Sequence, residues 1–192
     1  MTAPVVIKLG GSLLSDPRDG RLMRWCERLT GAWAGRAIVV PGGGPFADAV
    51  RAAQADWRFS DDVAHRMALR AMDQCGLMLS DLCPDLPAVQ DIDALVAVCE
   101  SGRTPVWLPA LHLDRNADMP RDWNVTSDSI AVWLGSHLGS TRVVLVKSCA
   151  LPEGDLTVLA TRGIVDDHLP VIAAKCRLRI EIVTADSTAA LR

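Results

Sequence analysis

The stretch PVVIKLGG, residues 4–11, is a short apolar run rich in β-branched residues that stops at two glycines. Such a run predicts a buried strand followed by a tight loop. The stretch AIVVPGGGP, residues 37–45, repeats this pattern and places three glycines after its apolar run. The two segments therefore predict two buried strands, each followed by a glycine-rich loop.

Apolar residues recur at helical spacing between the strand-like runs. This spacing predicts helices over residues 22–33, 46–53, 61–82, 91–100 and 127–138. Further apolar runs predict strands over residues 106–108, 142–147 and 179–184, and a polar segment with a proline predicts a loop over residues 112–124. Strands that alternate with helices predict an α/β fold, in which a mainly parallel sheet is covered on both faces.

Composition narrows the class of protein. The chain has 192 residues, of which 49% are hydrophobic and 22% charged, so it can bury a substantial core and is not disordered. Its 20 basic and 23 acidic residues leave no basic excess for nucleic acid or a membrane surface. No apolar run is long enough to span a membrane, and the first residues lack the features of a signal peptide. We expect a single domain, residues 1–192, that is cytoplasmic and has neither nucleic-acid nor membrane partners.

The cysteines and histidines do not form a recognisable metal or disulfide pattern. The six cysteines lie far apart in mostly apolar contexts, without a C-x-x-C pair, and the four histidines are scattered. The cysteines are predicted to be buried free thiols. They are Cys26, Cys75, Cys83, Cys99, Cys149 and Cys176. We therefore predict no metal site built from these residues.

The two glycine-rich loops are candidates for binding phosphate. Glycine lets the backbone approach a ligand closely, and N–H groups in a loop that leads into a helix can form an anion site. Both loops would lie at the carboxyl edge of a parallel sheet, where ligands usually bind. Neither matches the P-loop or the G-x-G-x-x-G pattern, and a plain tight turn is the alternative for each.

Lys8 and Lys147 lie in or at the end of apolar runs that are predicted to be strands. Burying an ammonium group is costly unless it is paired, so a lysine at position 8 is unexpected in a buried strand without a compensating role. Either it lies at an edge with its charge in solvent, or it stabilises negative charge on transferring phosphoryl oxygens. Lys147, followed by Ser148, is either a further phosphate contact or an ordinary exposed lysine.

The polar segment NVTSDSIA, residues 124–131, precedes an apolar helix. Capping of that helix explains such a cluster. Alternatively, Asp128 faces the glycine loops and orients a lysine, or a metal bound to phosphates.

Together these segments resemble the amino acid kinase superfamily, which includes acetylglutamate, aspartate, uridylate and isopentenyl phosphate kinases. The matching segments occur in the family's order and are residues 6–14, 39–51, 124–131 and 143–148. The resemblance implies a three-layer αβα sandwich that binds Mg²⁺ and ATP at the carboxyl edge of a mainly parallel sheet. It also implies an acceptor-side lobe, residues 1–123, and a shortened nucleotide-side lobe, residues 124–192.

The resemblance also implies roles for individual residues. Lys8 would bridge the ATP phosphates to the acceptor, and Asp128 would orient lysines instead of acting as a base. Nucleotide-binding residues would be Gly10, Gly11, Ser12, Asn124, Ser127, Lys147 and Ser148. Acceptor-binding residues would be Gly42, Gly43, Gly44, Asp62 and His65. The family's second catalytic lysine has two candidate positions, Lys147 and Lys175.

The helical segment DDVAHRMALRAMDQ, residues 61–74, is similar to a subgroup of short kinases linked to methanofuran biosynthesis. That subgroup resembles an aminomethylfuran phosphate kinase, which converts a monophosphate to a diphosphate. We therefore predict an ATP-dependent kinase that acts on a small phosphorylated or carboxylated acceptor. We also predict that it forms a homo-oligomer. The alternatives are a non-catalytic nucleotide- or oxyanion-binding protein on the same scaffold, and a subunit whose tryptophans serve assembly.

Overall fold

In the computed structural model, which describes residues 3–115 and 119–187, the strands form one parallel sheet. The strands are β1 (Val5–Leu9), β2 (Ala37–Pro41), β3 (Ala88–Val89), β4 (Val106–Trp107), β5 (Arg142–Lys147) and β6 (Arg179–Thr184). They lie in the order β3-β4-β2-β1-β5-β6, and each neighbouring pair is parallel. The predicted α/β fold is confirmed.

Helices cover both faces of this sheet. They are α1 (Arg21–Thr30), α2 (Gly44–Trp57), α3 (Asp61–Leu82), α4 (Ala94–Glu100), α5 (Ala110–Arg115), α6 (Ser127–His137), α7 (Leu156–Thr161) and α8 (Leu169–Ala173). Two 3₁₀ helices, Gly11–Leu14 and Pro17–Asp19, follow β1. Across the described residues, no helix combines the length and the apolar character that crossing a membrane requires.

Alternation along the strands creates two separate cores. Val6 of β1 and Leu145 of β5 pack in the cluster that contains the apolar side chains of α6 and α8. Ile7 of β1 packs in the other cluster, against α1. Because side chains alternate along a strand, Lys8 lies on the same face as Val6, and Lys147 lies on the same face as Leu145. Both lysines therefore face the layer that contains α6.

The position of β1 determines where a ligand cleft can form. β1 pairs with β2 on one side and with β5 on the other. The chain builds the β2 side of the sheet first and then crosses β1 to build the β5 side, so the strand order reverses at β1. In open α/β sheets, ligands bind outside the carboxyl ends of the strands at such a reversal. Lys8 and Lys147 lie at the carboxyl ends of these two strands.

The predicted loop over residues 112–124 is wrong in its first part, because α5 extends to Arg115. Contacts from other elements stabilise this short helix. The Asp73 Oδ1 atom accepts a hydrogen bond from the Ala110 N–H at 3.1 Å, and Leu113 is buried. The strand β3 and the helices α7 and α8 were not predicted; they have two, six and five residues, too few for a clear periodic pattern.

The cysteines of the described residues are free thiols, and four of them are buried. Burial raises the pKa of the Cys75 thiol to about 12 and that of the Cys99 thiol to about 11. The prediction of a buried thiol is wrong for Cys149, which is exposed because it follows the end of β5. Cys176 is half-buried.

Candidate active site

A cleft of about 450 Å³ lies at the carboxyl edge of the sheet. Its walls come from the loops after β1 and β2, from one face each of α2 and α3, from the start of α6, and from residues 163–167. Its volume is within the usual range for sites that bind small molecules. The cleft therefore lies where the reversal of strand order predicts a ligand site.

Lys8, Asp128 and Lys147 form a buried ionic cluster in this cleft. The Lys8 Nζ atom lies 2.9 Å from Asp128 Oδ1, and the Lys147 Nζ atom donates to Asp128 Oδ2 at 2.6 Å. The exposed fractions of the three residues are 5%, 3% and 8%. The interpretations in which Lys8 or Lys147 extends into solvent are therefore wrong.

The cluster is suited to bind anions. Counted over these three side chains alone, two ammonium groups and one carboxylate leave one net positive charge that is largely removed from water. A buried charge of this kind is stabilised when an oppositely charged group enters. A phosphate group in the cleft would provide that charge.

The pKa values of the cluster define what each group can do. Burial opposes ionisation of Asp128, but the charges of Lys8 and Lys147 outweigh burial and hold the pKa of this carboxyl below its usual range. Burial and the charge of Lys8 lower the pKa of Lys147 to about 8, although Asp128 opposes this shift. Asp128 is thus a carboxylate at neutral pH, engaged by two lysines, and its geometry suits orientation of those lysines better than removal of a proton.

The two glycine loops pack directly against each other. A Cβ atom on Gly11 would lie 2.4 Å from the Gly44 N atom, and one on Gly42 would lie 2.3 Å from the Gly11 N atom. The Gly42 N–H also donates to the Leu9 oxygen at 2.8 Å. The sequence pattern indicated that these glycines allow close approach to a ligand. The structure shows that close approach of the two loops requires them as well.

Helical periodicity places side chains of α2 and α3 along the cleft. In α2 the lining positions include Ala47, Asp48 and Arg51, and in α3 they include His65 and Met72. Spacings of three, four and seven residues bring such positions to one helix face. Two helix faces thus form the wall beside the loop that follows β2.

Polar contacts define this wall further. The Arg51 guanidinium lies 4.4 Å from the centroid of the Trp123 ring and 2.7 Å from Asp48 Oδ1. The Trp123 Nε1–H donates to Gln54 Oε1 at 2.6 Å. These contacts hold a cationic group and an aromatic ring beside each other at the cleft.

His65 contributes a neutral imidazole to the same wall. Burial lowers its pKa, so the ring is neutral at pH 7. Its Nδ1 atom lies 3.2 Å from the Asp122 carbonyl oxygen. A carbonyl oxygen can only accept, so Nδ1 carries the proton and Nε2 is left as an acceptor.

The structure brings most of the predicted site residues together in the cleft. Those that line it are Lys8, Gly11, Ser12, Gly42, Gly43, Gly44, His65, Ser127, Asp128 and Lys147. Of the two candidates for a second lysine, Lys147 is in the cleft, whereas Lys175 is exposed beyond the end of α8.

Four predicted residues do not line the cleft, each for a local reason. The Gly10 N–H donates to the Val146 oxygen at 3.1 Å, so it is already engaged within the sheet. Asn124 is exposed, and its N–H donates to Asp122 Oδ1. Asp62 is exposed at the start of α3, where it forms an ion pair with Arg121 at 3.3 Å. Ser148 lies just outside and its Oγ atom is 2.5 Å from that of Ser12, which does line the cleft.

Several lining residues were not predicted from the sequence, among them Asp48 and Arg51, and the segment that includes Asp166 and Asp167. Residues 163–167 line the cleft because of the way α7 and α8, which flank them, pack in the fold. In the sequence, the only indication of a site here is two acidic residues directly after the apolar pair at positions 164 and 165. This pattern indicates that the chain leaves the core, but it does not indicate which cleft the acidic residues line.

Comparisons with known proteins agree with this architecture. The model of the amino acid kinase family matches residues 3–150. A [5-(aminomethyl)furan-3-yl]methyl phosphate kinase from Methanocaldococcus jannaschii is 23% identical over 189 residues, which cover 93% of this chain and 86% of the relative.

Solved structures share the fold at low sequence identity. Uridylate kinase from Archaeoglobus fulgidus is 16% identical with a TM-score of 0.68, and covers 94% of this chain and 90% of its own. UMP kinase from Bacillus anthracis is 16% identical with a TM-score of 0.72, with 98% and 90% covered. Aspartate kinase from Synechocystis is 14% identical with a TM-score of 0.71, but only 38% of that longer chain is covered, against 97% of this one.

The contact between the glycine loops predicts a large effect of Gly42→Ala on stability. The new Cβ would meet backbone atoms that cannot move without separating the loops, so we expect the free energy of unfolding to fall by about 3 kcal/mol. Gly139→Ala is the control, because Gly139 has a φ of +67° but no atom within 4 Å of the point that a Cβ would occupy; it should cost about 1 kcal/mol. Urea unfolding measures both, and equal losses would contradict the importance of the loop contact.

Proposed function

This chain belongs to the amino acid kinase family, and on that basis we propose that it transfers the γ-phosphoryl group of ATP to a small phosphorylated metabolite. The observation that carries the proposal is the buried cluster of Lys8, Asp128 and Lys147 in the cleft. Phosphoryl transfer depends mainly on positioning and on charge stabilisation, and two lysines held by one carboxylate supply both.

The state of Asp128 favours an acceptor that needs no general base. Its carboxylate is engaged by both lysines, and its pKa is held low by their charges in spite of burial. A phosphate monoester has a second pKa of about 6 and is already largely a nucleophilic dianion at neutral pH. In the transfer, a phosphate oxygen of the acceptor bonds to the γ-phosphorus while the bond to the β–γ bridging oxygen breaks, which gives a diphosphate and ADP.

Among phosphorylated acceptors, we favour [5-(aminomethyl)furan-3-yl]methyl phosphate. The relative from Methanocaldococcus jannaschii is named for this acceptor and aligns with 93% of the chain. The wall formed by α2 and α3 holds a cationic Arg51 and the ring of Trp123, groups that suit a phosphate and a furan. A carboxylated acceptor is the broader possibility within the same class of reaction.

The two ends of the cleft suit different halves of the reaction. The α2 and α3 wall is the proposed acceptor side, within residues 1–123, and residues 163–167 belong to the proposed nucleotide side, within residues 124–192. Lys8 and Lys147 lie between them on adjacent strands. This arrangement supports direct in-line transfer between two bound molecules.

ATP in such a cleft would be accompanied by Mg²⁺, which neutralises charge on the phosphates. The described residues contain no group of three or more His, Cys, Asp or Glu side chains placed to hold a metal. We propose an ion bound chiefly by phosphate oxygens and water, as Mg²⁺ usually is with nucleotides. Asp167, an exposed carboxylate that lines the cleft, is a candidate to contact its hydration shell.

The non-catalytic alternative rests on the lack of a secure second lysine and on the short C-terminal half. The contacts of both Lys147 and Lys8 with Asp128 favour catalysis over that alternative. A homo-oligomer remains part of the proposal, supported by apolar side chains that α3 exposes at Val63, Met67, Leu77 and Leu82. A cytoplasmic location remains a prediction.

The proposal predicts the products of a defined assay. With Mg²⁺ and ATP, the furan monophosphate should give ADP and a diphosphate, seen by ³¹P NMR as a new pair of coupled resonances. The dephosphorylated alcohol is the control, and it should react poorly because its hydroxyl needs a base. ATP binding without turnover of any phosphorylated acceptor would favour the non-catalytic alternative.

Lys8→Ala should abolish transfer while the protein stays folded. The substitution removes one charge that is needed on the transferring group, so we expect kcat to fall by about 10³-fold, or about 4 kcal/mol. Lys147 and Asp128 remain as a neutral pair, so the fold should persist in circular dichroism. Lys175→Ala, at an exposed position, is the control; full activity of Lys8→Ala would refute the assigned role.

The lowered pKa of Lys147 predicts that activity decreases at alkaline pH. A lysine is charged below its pKa, and burial lowers that pKa to about 8 here, so kcat/KM for ATP should decrease as pH rises through this value. Lys147→Arg keeps the charge at every pH used and should remove the alkaline decrease, even if its rate is lower. An unchanged pH profile in Lys147→Arg would assign the decrease to another group.

A further inference from the structure

The first turn of α6, which carries Asp128, is capped by a residue far away in sequence. Thr126 occupies the N-cap position, but its side chain does not cap the helix. Instead, Asp166 Oδ2 accepts hydrogen bonds from the Thr126 N–H and the Ser129 N–H, at 2.9 and 3.0 Å. The carboxylate of Asp166 therefore performs the role that an N-cap side chain usually performs locally.

Two hydroxyl groups complete this contact. The Thr126 Oγ1–H donates to Asp166 Oδ2 at 2.9 Å, and the Ser129 Oγ–H donates to Asp166 Oδ1 at 2.5 Å. Asp128 lies between Thr126 and Ser129 in sequence, so the bonds hold the backbone on both sides of it. A residue 38 positions later thus fixes the turn from which Asp128 contacts Lys8 and Lys147.

Backbone contacts reinforce the same connection. The His168 N–H donates to the Asn124 oxygen at 3.0 Å, just before α6. The Leu169 N–H donates to the Asp166 oxygen at 3.1 Å, where α8 begins. The segment that holds Asp166 is therefore tied to the start of α6 and to α8 together.

Burying the Asp166 carboxylate costs free energy, and capping α6 does not by itself require a buried carboxylate. Asp166 is only 9% exposed, and its pKa is raised by burial and by the nearby Asp128 charge. A neutral serine or asparagine at the N-cap would cap α6 without a second buried carboxylate. The position of Asp166 beside the ionic cluster gives a reason for its presence that helix capping does not.

We propose that Asp166 is a positioning residue for phosphoryl transfer: it fixes the first turn of α6 so that Asp128 stands between Lys8 and Lys147. Residues 163–167 also line the cleft, so a ligand bound against them contacts the segment that fixes Asp128. The assignment rests on the proposed function. It adds that residues 163–167 are connected to the two lysines through Asp166 and Asp128.

The test compares Asp166→Ala, Asp166→Asn and Asp155→Ala in the full chain. Asp155 is a matched control because it also caps a helix, accepting from the Val158 N–H at 2.9 Å, but at the exposed start of α7. Asparagine at 166 keeps an oxygen for the two N–H groups and an amide that can donate to Ser129 Oγ. All three variants are checked for folding by thermal unfolding.

In the kinase assay, Asp166→Ala should lower kcat about 10²-fold with little change in KM for ATP, because displaced lysines misplace the transferring group. Asp166→Asn should recover most of this loss. Asp155→Ala should lose stability but keep kcat. If Asp166→Ala lowers only the melting temperature, as Asp155→Ala does, Asp166 is structural and the proposal is wrong.

A second measurement does not depend on activity. Titration of the ¹³C-labelled lysines followed by NMR gives the pKa of Lys147 in the free protein. Asparagine and alanine remove the same charge, so a lower pKa in Asp166→Ala than in Asp166→Asn would show that Asp128 has moved away from Lys147. Equal values would overturn the proposal. Inactivity of the wild-type protein with every acceptor would instead refute the proposed function, and this titration would still decide the role of Asp166.

Discussion

One buried carboxylate, Asp128, contacts two lysines at the carboxyl edge of the sheet. Asp128 can meet both Lys8 and Lys147 only because these lysines end adjacent strands on the same face of the sheet. An isolated ammonium at this depth would be strongly destabilising, and the shared carboxylate offsets that cost for both lysines while leaving one positive charge. The parallel pairing of β1 with β5 and the packing of α6 on that face are what bring these charges together.

The cluster also explains how the chemistry is divided among the elements. The strands supply lysines, whose backbone is fixed by the sheet, and α6 supplies the acid from its first turn. The helices α2 and α3 supply a separate wall with a different set of side chains. The groups that we propose to stabilise transferring charge therefore lie on the strands of the sheet and the first turn of α6, while the groups that we propose to select an acceptor lie on helix faces around them.

Much of this could be predicted from the sequence, and the exceptions have physical causes. Short apolar runs identified β1, β2 and β5, and the glycines located the edge where the cleft forms. The depth of Lys147 could not be predicted, because a lysine at a strand end is exposed or buried according to what packs over it, here α6. The role of Asp166 depends on a tertiary contact between segments 40 residues apart, which local pattern does not encode. Short elements such as β3 and α8 were missed because two to five residues carry too little periodicity.

The packing of Gly11 against the loop of Gly42 has a consequence for how this cleft can change. A clash between two side chains can be relieved by shrinking either one, but a glycine has nothing left to remove. A larger residue in one loop therefore cannot be compensated by a smaller residue in the other, so both positions must remain glycine. We expect variation that alters acceptor preference on the proposed acceptor side, the faces of α2 and α3, where Asp48 and Arg51 have exposed side chains. A library designed to redirect this cleft should randomise those faces and leave both glycines untouched.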